Sequence, residues 1–266
     1  MLSKFSFATK AGTSSHLRTK ANQDVYLMKT NLLELEHCHL FAVCDGHGNN
    51  GRQIATLVQK QLQVYLEQEM LNHFEGDLDY DYPSRKGIEN TFNTVFQRIE
   101  EELTKMAEDI RYSGCTCTII LLFGQKMYVA NLGDSRSILV RQGTNSCLPL
   151  EEDYTVKQLT KDHNLKDPEE RRRILDKGGR IDPFRDRHGN PLGPERIWLQ
   201  TQAQPGLVMT RSFGDHLAHS VGCSPYPELF AFKIGSKDRM LVVASDGVWE
   251  FLSNADVASI VYPFFL

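Results

Sequence analysis

The chain lacks any apolar run near the roughly 20 residues that a bilayer-spanning helix needs, so a transmembrane helix is excluded. It also lacks a charge excess. Its 266 residues carry a net charge of −4, and no global basic field draws it to nucleic acid or to an anionic membrane. Cysteine is sparse and follows no disulfide pattern: Cys38, Cys44, Cys115, Cys117, Cys147 and Cys223 are scattered, several inside apolar runs. They read as reduced, buried small side chains in a cytoplasmic or nuclear protein. No internal repeat, low-complexity linker or composition break divides the chain. The length allows a sizeable core in one large domain or two small ones, and the missing break favours a single domain over residues 1–266.

What is present is a set of apolar runs that each deliver a carboxylate. His39-Leu40-Phe41-Ala42-Val43-Cys44 runs into Asp45-Gly46-His47-Gly48. Met240-Leu241-Val242-Val243-Ala244 passes through Ser245 into Asp246-Gly247, and Met127-Tyr128-Val129-Ala130-Asn131-Leu132 reaches Gly133-Asp134. A buried strand ending in a carboxylate holds that group on a rigid support. Each end alone is an ordinary loop, because Asp and Gly are favoured turn residues. If the three converge, their repulsion is severe unless cations neutralise it. Oxygen ligands of this hardness suit Mg²⁺ or Mn²⁺ rather than zinc.

Periodicity places these ends in an alternating pattern of strands and helices. Short strands are expected at residues 24–29 and 39–44. Ile54, Leu57, Val58, Leu62, Tyr65 and Leu66 recur at helical spacing over residues 51–70. After an acidic, Tyr-rich loop at residues 77–83, a second amphipathic helix runs from Ile88 to Met106. Strands follow at residues 116–123, 126–131 and 137–141, with Gly124-Gln125 and Gly133-Asp134-Ser135 suited to tight antiparallel turns. A basic helix at residues 169–177 ends at Gly178-Gly179, a plausible C-cap, with Arg171-Arg172-Arg173 as its solvated face. The Pro-, Gly-, Arg- and Asp-rich stretch up to Pro205 has little periodicity and reads as a long functional loop. Strands resume at residues 229–234 and 240–244, and Ser253 caps a last helix with Asp256 at its third position.

Two features could mislead. Residues 1–22 carry no acid and hold Lys4, Lys10, Arg18 and Lys20 among Ser and Thr, in the manner of a transit peptide. Yet Phe5-Ser6-Phe7-Ala8 alternates like a strand and leads into Asn22-Gln23-Asp24. His37-Cys38-His39 puts two imidazoles on one strand face, but no second ligand pair is near, which favours a structural role.

Phe41-Ala42-Val43-Cys44-Asp45-Gly46-His47-Gly48 resembles the signature of the metal-dependent Ser/Thr protein phosphatases of the PP2C (PPM) family. Asn22-Gln23-Asp24, Ser113-Gly114-Cys115-Thr116, Ala130 to Arg136 and Leu159 to His163 resemble further family motifs. So do Thr210 to Asp215 and Ala244 to Glu250, in the family's order. The resemblance implies an α+β fold: an α-β-β-α sandwich of two antiparallel sheets flanked by helices, with a metal cleft at one edge. It implies that Asp45 bridges two Mg²⁺ or Mn²⁺ ions, with the Gly46 carbonyl on one and Asp246 on the other. Gln23 and Asp24 match positions that hold metal-bound water. Asp134, with Asp246, matches the site of a weaker third ion. His47 sits where the family places its general acid, and Arg18 or Lys20 matches its phosphate-gripping cation. The implied activity is hydrolysis of phosphoserine and phosphothreonine in proteins by a bridging metal-bound hydroxide. The expected partners are phosphorylated proteins, the expected state a monomer, and the expected flap residues 169–205.

The residue types suit that chemistry. Two divalent ions lower the pKa of a shared water and clamp phosphoryl oxygens, and a protonated imidazole helps a poor alkoxide leave. A thiolate mechanism would need an anion-cradling loop around a low-pKa cysteine, and none of the six has one. Two departures from the family stand out. Gln23 is neutral where many members carry Glu. The family's late Asp-Asn or Asp-Asp motif does not occur before the chain stops at Tyr262-Pro263-Phe264-Phe265-Leu266. One metal would then lack a carboxylate and a sheet its final strands, so the natural protein is expected to continue past Leu266. That gap keeps open an alternative, a pseudophosphatase acting as a binding or regulatory module.

Overall fold

The computed structural model describes residues 4–13, 19–73, 84–106, 108–144 and 153–264. The acidic loop at 77–83, Arg18 and Cys147 lie outside the described residues. The chain forms β1 (Val25–Thr30), β2 (Cys38–Cys44), β3 (Gly46–His47), α1 (Gly51–His73) and α2 (Arg85–Leu103). Next come β4 (Gly114–Cys115), β5 (Cys117–Phe123), β6 (Lys126–Leu132), β7 (Arg136–Gln142), β8 (Tyr154–Gln158) and α3 (Pro168–Asp176). Then follow β9 (Arg180–Arg185), β10 (Pro191–Trp198), β11 (Pro205–Leu207), β12 (Phe213–Gly214) and α4 (His216–His219). The last are β13 (Glu228–Lys233), β14 (Asp238–Ala244), α5 (Asp246–Trp249) and α6 (Asn254–Val261).

Two antiparallel sheets make the sandwich, one in the order β1-β2-β5-β6-β13 and one in the order β14-β7-β8. The outer face of the larger sheet takes α1 and α2. Ile54, Val58, Leu62 and Leu66 of α1 recur at four-residue spacing and pack with Phe92, Phe96 and Ile99 of α2 over Leu40, Ile119 and Leu121. The inner face carries Ile120, Met127 and Val129, which meet Leu139, Leu241 and Val243 of the second sheet. β5 is thus covered on both faces, and its Ile119-Ile120-Leu121-Leu122-Phe123 run is apolar without alternation for that reason. The far face of the second sheet packs Ile138 and Val140 against Trp249, Val257, Ala258 and Tyr262. These layers are the expected α-β-β-α order.

Local chemistry sets the helix ends. Ser84 caps α2 by accepting from the Gly87 amide at 3.0 Å. Ser253 and Asp256 form a reciprocal capping box on α6. At the end of α3, Gly178 has φ of 80° and its amide and that of Gly179 return to Leu175 and Ile174, the C-cap expected of the glycine pair. α2 stops at Leu103 rather than at Met106, because Lys105 and Met106 tighten to three-residue bonds and the Thr104 hydroxyl bonds back to Glu101.

Other expectations are corrected too. Gly133-Asp134-Ser135 is not a hairpin turn: β6 pairs with β5 and β13, whereas β7 pairs with β14 and β8, so this segment crosses from one sheet to the other. Phe5-Ser6-Phe7-Ala8 forms no strand. Alternation needs a partner edge, and here the Phe7 ring packs on Tyr26 with centroids 4.4 Å apart. The stretch before Pro205 is not irregular: β9, β10 and β11 form a separate three-stranded sheet. Pro183, Pro191 and Pro194 interrupt its alternation, and the β9–β10 register shifts between Leu192 and Glu195, which hid it from periodicity.

Nor is the Arg171-Arg172-Arg173 face simply solvated. Arg173 and Arg211 both reach the buried Glu170, at 2.5 and 2.7 Å, and Arg171 pairs with Glu195. Burial pushes the Glu170 pKa up, but hydrogen bonds from Arg173, Arg211 and Thr210 hold it well below the usual carboxylate range. His37 and His39 are structural, as expected. His39 Nδ1 accepts from the Asn31 amide and the His37 ring meets Phe123 edge-on.

Phe96 joins the helix layer to the site described next, because its ring stacks on Phe213 with centroids 4.8 Å apart and neither ring is exposed. Phe96→Ala is expected to lower unfolding free energy by about 3–5 kcal/mol in denaturant titrations. A loss below about 1 kcal/mol would show that this contact does not tie the two together.

Candidate active site

The register of β1 and β2 builds the centre of the site. Val25 faces Cys44 as the last pair of the ladder, so Asp24 and Asp45 emerge side by side at the same sheet edge. Asp45 is held there by both backbone groups. Its amide donates to Thr116 Oγ1 at 3.1 Å and its carbonyl accepts from the Thr116 amide at 2.9 Å. From the second sheet β14 delivers Ser245 and Asp246, and Ser245 Oγ donates to Asp24 Oδ2 at 2.8 Å. That bond links the two sheets across the mouth of the sandwich. Asp45, Asp24 and Asp246 therefore meet at one edge. Burial first, then Asp24 and Asp246, push the Asp45 pKa up to about 10.

Asp134 arrives on the crossing segment between the sheets. Gly133 has φ of 104°, and a Cβ there would lie 2.5 Å from the Thr116 side chain, so only glycine fits. His163 clamps the segment, its Nδ1 accepting from the Gly133 amide and its own amide donating to the Gly133 carbonyl. Asn131 braces the Gly133 and Lys161 carbonyls. Burial first, then Asp246 and Asp162, raise the Asp134 pKa to about 7. Its Oδ1 is buried and has no hydrogen-bond partner.

His47 is positioned by a small sheet in the order β12-β4-β3, in which His47 faces Gly114 and Gly114 faces Gly214. Asp215 follows, and its Oδ2 lies 2.6 Å from His47 Nε2 with the Asp side chain 1% exposed. A Cβ on Gly114 would collide with the Phe213 carbonyl and Asp215 Oδ2, so the missing side chain is what lets Asp215 reach His47. Ser212 Oγ donates to the same Oδ2 at 2.6 Å. Burial pulls the His47 pKa down, but Asp215 by charge and hydrogen bond, followed by Asp134 and Asp246, outweighs it and the net shift is upward. Sequence reasoning missed this role of Asp215, which it read only as part of a motif. The glycines on both flanking strands were the available signal.

The remaining predicted residues are placed as follows. Gln23 Nε2 donates to the Gly48 carbonyl at 2.8 Å. An ionised glutamate there could not make that bond. Gly46 is buried, and a Cβ on it would meet the Gly51 carbonyl at 2.5 Å. Lys20 is exposed, and Arg18 lies outside the described residues.

The donor set fits a hard divalent cation. Asp24, Asp45, Asp134 and Asp246 supply only oxygen, the carboxylates crowd against one another, and the Asp134 Oδ1 is buried without a partner. An all-oxygen centre at the edge of a two-sheet sandwich, with a carboxylate-held histidine beside it, is a candidate metal centre. The model of the family described as Protein phosphatase 2C matches residues 11–264, and the chain belongs to that family.

Relatives agree. Probable protein phosphatase 2C 72 of Arabidopsis thaliana is 35% identical over 227 residues, 84% of this chain and 64% of that protein. Probable protein phosphatase 2C 35 of the same plant is 32% identical over 249 residues, 91% of this chain and 68% of that one. The chain thus spans about two-thirds of the length of these curated relatives. The crystal structure of serine-threonine phosphatase 2C from Toxoplasma gondii shares the fold. Its TM-score is 0.75 at 21% identity, with 92% of this chain and 79% of that one covered.

Without cations the crowding around Asp45 works against folding. The folded carboxyl keeps its proton up to about 10 against an ordinary 3.8, so the folded state binds more protons than the unfolded chain across that window. Stability of metal-free protein should then fall as pH rises through it. At about pH 8 in EDTA, Asp45→Asn should melt a few degrees above the parent, or about 1–2 kcal/mol more stable. An equal or lower melting temperature in scanning calorimetry would contradict the crowding.

Proposed function

We propose that this site hydrolyses phosphoserine and phosphothreonine in protein substrates with two core Mg²⁺ or Mn²⁺ ions and a weaker third. The observation that carries the reading is the convergence of Asp24, Asp45 and Asp246 from two different sheets on one edge, beside the His47–Asp215 pair. Asp45 would serve both core ions, with the Gly46 carbonyl, Asp246, Asp24 and Gln23 completing their surroundings. Asp134 with Asp246 would serve the third. Bound there, the ions would make a shared water acidic enough to supply hydroxide near neutral pH and would neutralise phosphoryl oxygens.

The chain's own part is to hold the acid. His47 Nε2 faces Asp215, so the free Nδ1 is the atom that would give its proton to the departing serine or threonine oxygen. The upward shift favours the protonated ring. The part Asp215 plays in that shift does not depend on the ions, whereas those of Asp134 and Asp246 would be cancelled by them. Lys20 or Arg18 would steady the phosphate. We assign substrate preference to residues 169–205, and a monomer in the cytoplasm or nucleus remains our expectation.

Hydrolysis of a phosphothreonine peptide should require Mn²⁺ or Mg²⁺, stop in EDTA and ignore thiol reagents. Asp45→Asn should lose activity by on the order of 10²-fold or more. Turnover by Asp45→Asn near the parent rate would refute the two-ion reading, and metal binding without turnover by the parent would mark a binding module.

Asp215→Asn keeps an acceptor for His47 but removes the charge. It should lower kcat by about 10²-fold. Because the imidazole pKa then drops, activity should also fall away at lower pH on the alkaline side. An unshifted alkaline limb would assign Asp215 a structural role only.

A further inference from the structure

A second cluster lies behind the His47–Asp215 pair and uses different chemistry. Among the described residues, Glu100, His216 and His219 bring three ligand atoms within 4.8 Å of one another. Glu100 stands on α2, and the two histidines stand three apart on α4, hence on one face. Both rings place a nitrogen near one oxygen. His216 Nε2 is 2.8 Å from Glu100 Oε1 and His219 Nδ1 is 3.7 Å from the same atom. The other oxygen, Oε2, accepts from the Gly214 amide at 3.2 Å, which fixes the rotation of the carboxylate.

The tautomer of His219 follows from its other nitrogen. Nε2 lies 3.1 Å from the Ser212 carbonyl, which can only accept, so Nε2 carries the hydrogen. In the neutral ring Nδ1 is then the acceptor nitrogen, and it lies 3.7 Å from Glu100 Oε1, a separation that a cation between them can span. A second-atom bond to a backbone carbonyl is also how metal-bound imidazoles are oriented. A tetrahedral ion with bonds of about 2.0–2.1 Å spaces its ligands roughly 3.3 Å apart. The two observed separations, 2.8 and 3.7 Å, bracket that edge. The three side chains are 16%, 32% and 17% exposed, so solvent reaches a fourth position.

We propose that Glu100, His216 and His219 form a zinc-class site, distinct from the all-oxygen carboxylate centre and independent of the phosphatase reading. Two imidazoles and one carboxylate select Zn²⁺, or Co²⁺ in its place, over Mg²⁺. The ion pins the turn from Ser212 to His219 onto α2. That turn carries Asp215, which sits in the left-handed region at φ 46° and holds His47. Zinc at this site acts as a staple for the segment that positions His47.

The test is calorimetric titration of the EDTA-treated, desalted chain with Zn²⁺ under excess Mg²⁺, which occupies the oxygen centre. One Zn²⁺ per chain should bind, and a Co²⁺-loaded sample should show the visible bands of a four-coordinate site. His216→Asn, His219→Asn and Glu100→Gln should each weaken Zn²⁺ by about tenfold or more and abolish the bands. Asp45→Asn should leave both unchanged. Should a histidine variant fail to fold, the Asp45→Asn protein still decides the matter: one retained equivalent of Zn²⁺ with the Co²⁺ bands supports the site. Absence of that equivalent, or Zn²⁺ binding equal in folded histidine variants, overturns it.

Discussion

Asp45 is held between Asp24 and Asp246 where the two sheets of the sandwich come together, and the rest of the molecule is arranged around that crowding. Antiparallel pairing of β1 and β2 sets the first two carboxylates side by side, and the Ser245–Asp24 bond brings the third from the opposite sheet. Like charges cannot be gathered in this way by a flexible loop, since it would simply move apart. They are gathered here because each stands at the end of a strand whose own ladder and two-sided packing outweigh the repulsion. The fold supplies the force that keeps the carboxylate centre assembled.

The His47–Asp215 pair beside it depends on empty space rather than on force. Gly114 and Gly214 sit at the one register position where His47 and Asp215 must approach across a strand. The absence of Cβ atoms lets the carboxylate pass to the imidazole. Phe213, next to that position, is anchored by Phe96 on α2, so the helix layer reaches the site through one aromatic stack. The same helix contributes Glu100 to the histidine cluster behind it. Site geometry and core packing are therefore joined at the same few residues.

Much of this architecture is legible along the chain. The four-residue spacing of Ile54, Val58, Leu62 and Leu66, the unbroken apolar run of β5 and the Ser253–Asp256 box are short-range signals, and each leads to the observed element. The crossing at Gly133-Asp134-Ser135 is not legible, since a tight turn and a step between sheets call for the same residues. The β9–β11 sheet is hidden by prolines and a register shift that break the period of two. The buried Glu170–Arg173–Arg211 group looks like a charged helix face until its partners, forty residues on, are known.

The sequence by itself determined the strand ends, their carboxylates, the glycines where backbones must pass closely, and the helix caps. All of these depend on residues a few positions apart. Only the tertiary structure decided that Asp24, Asp45, Asp134 and Asp246 share one centre, and that His47 meets Asp215, 168 residues away. It alone brought Glu100 to the two histidines of α4. Those juxtapositions rest on strand register and on which sheet each strand joins, and such long-range pairings leave no period in the chain.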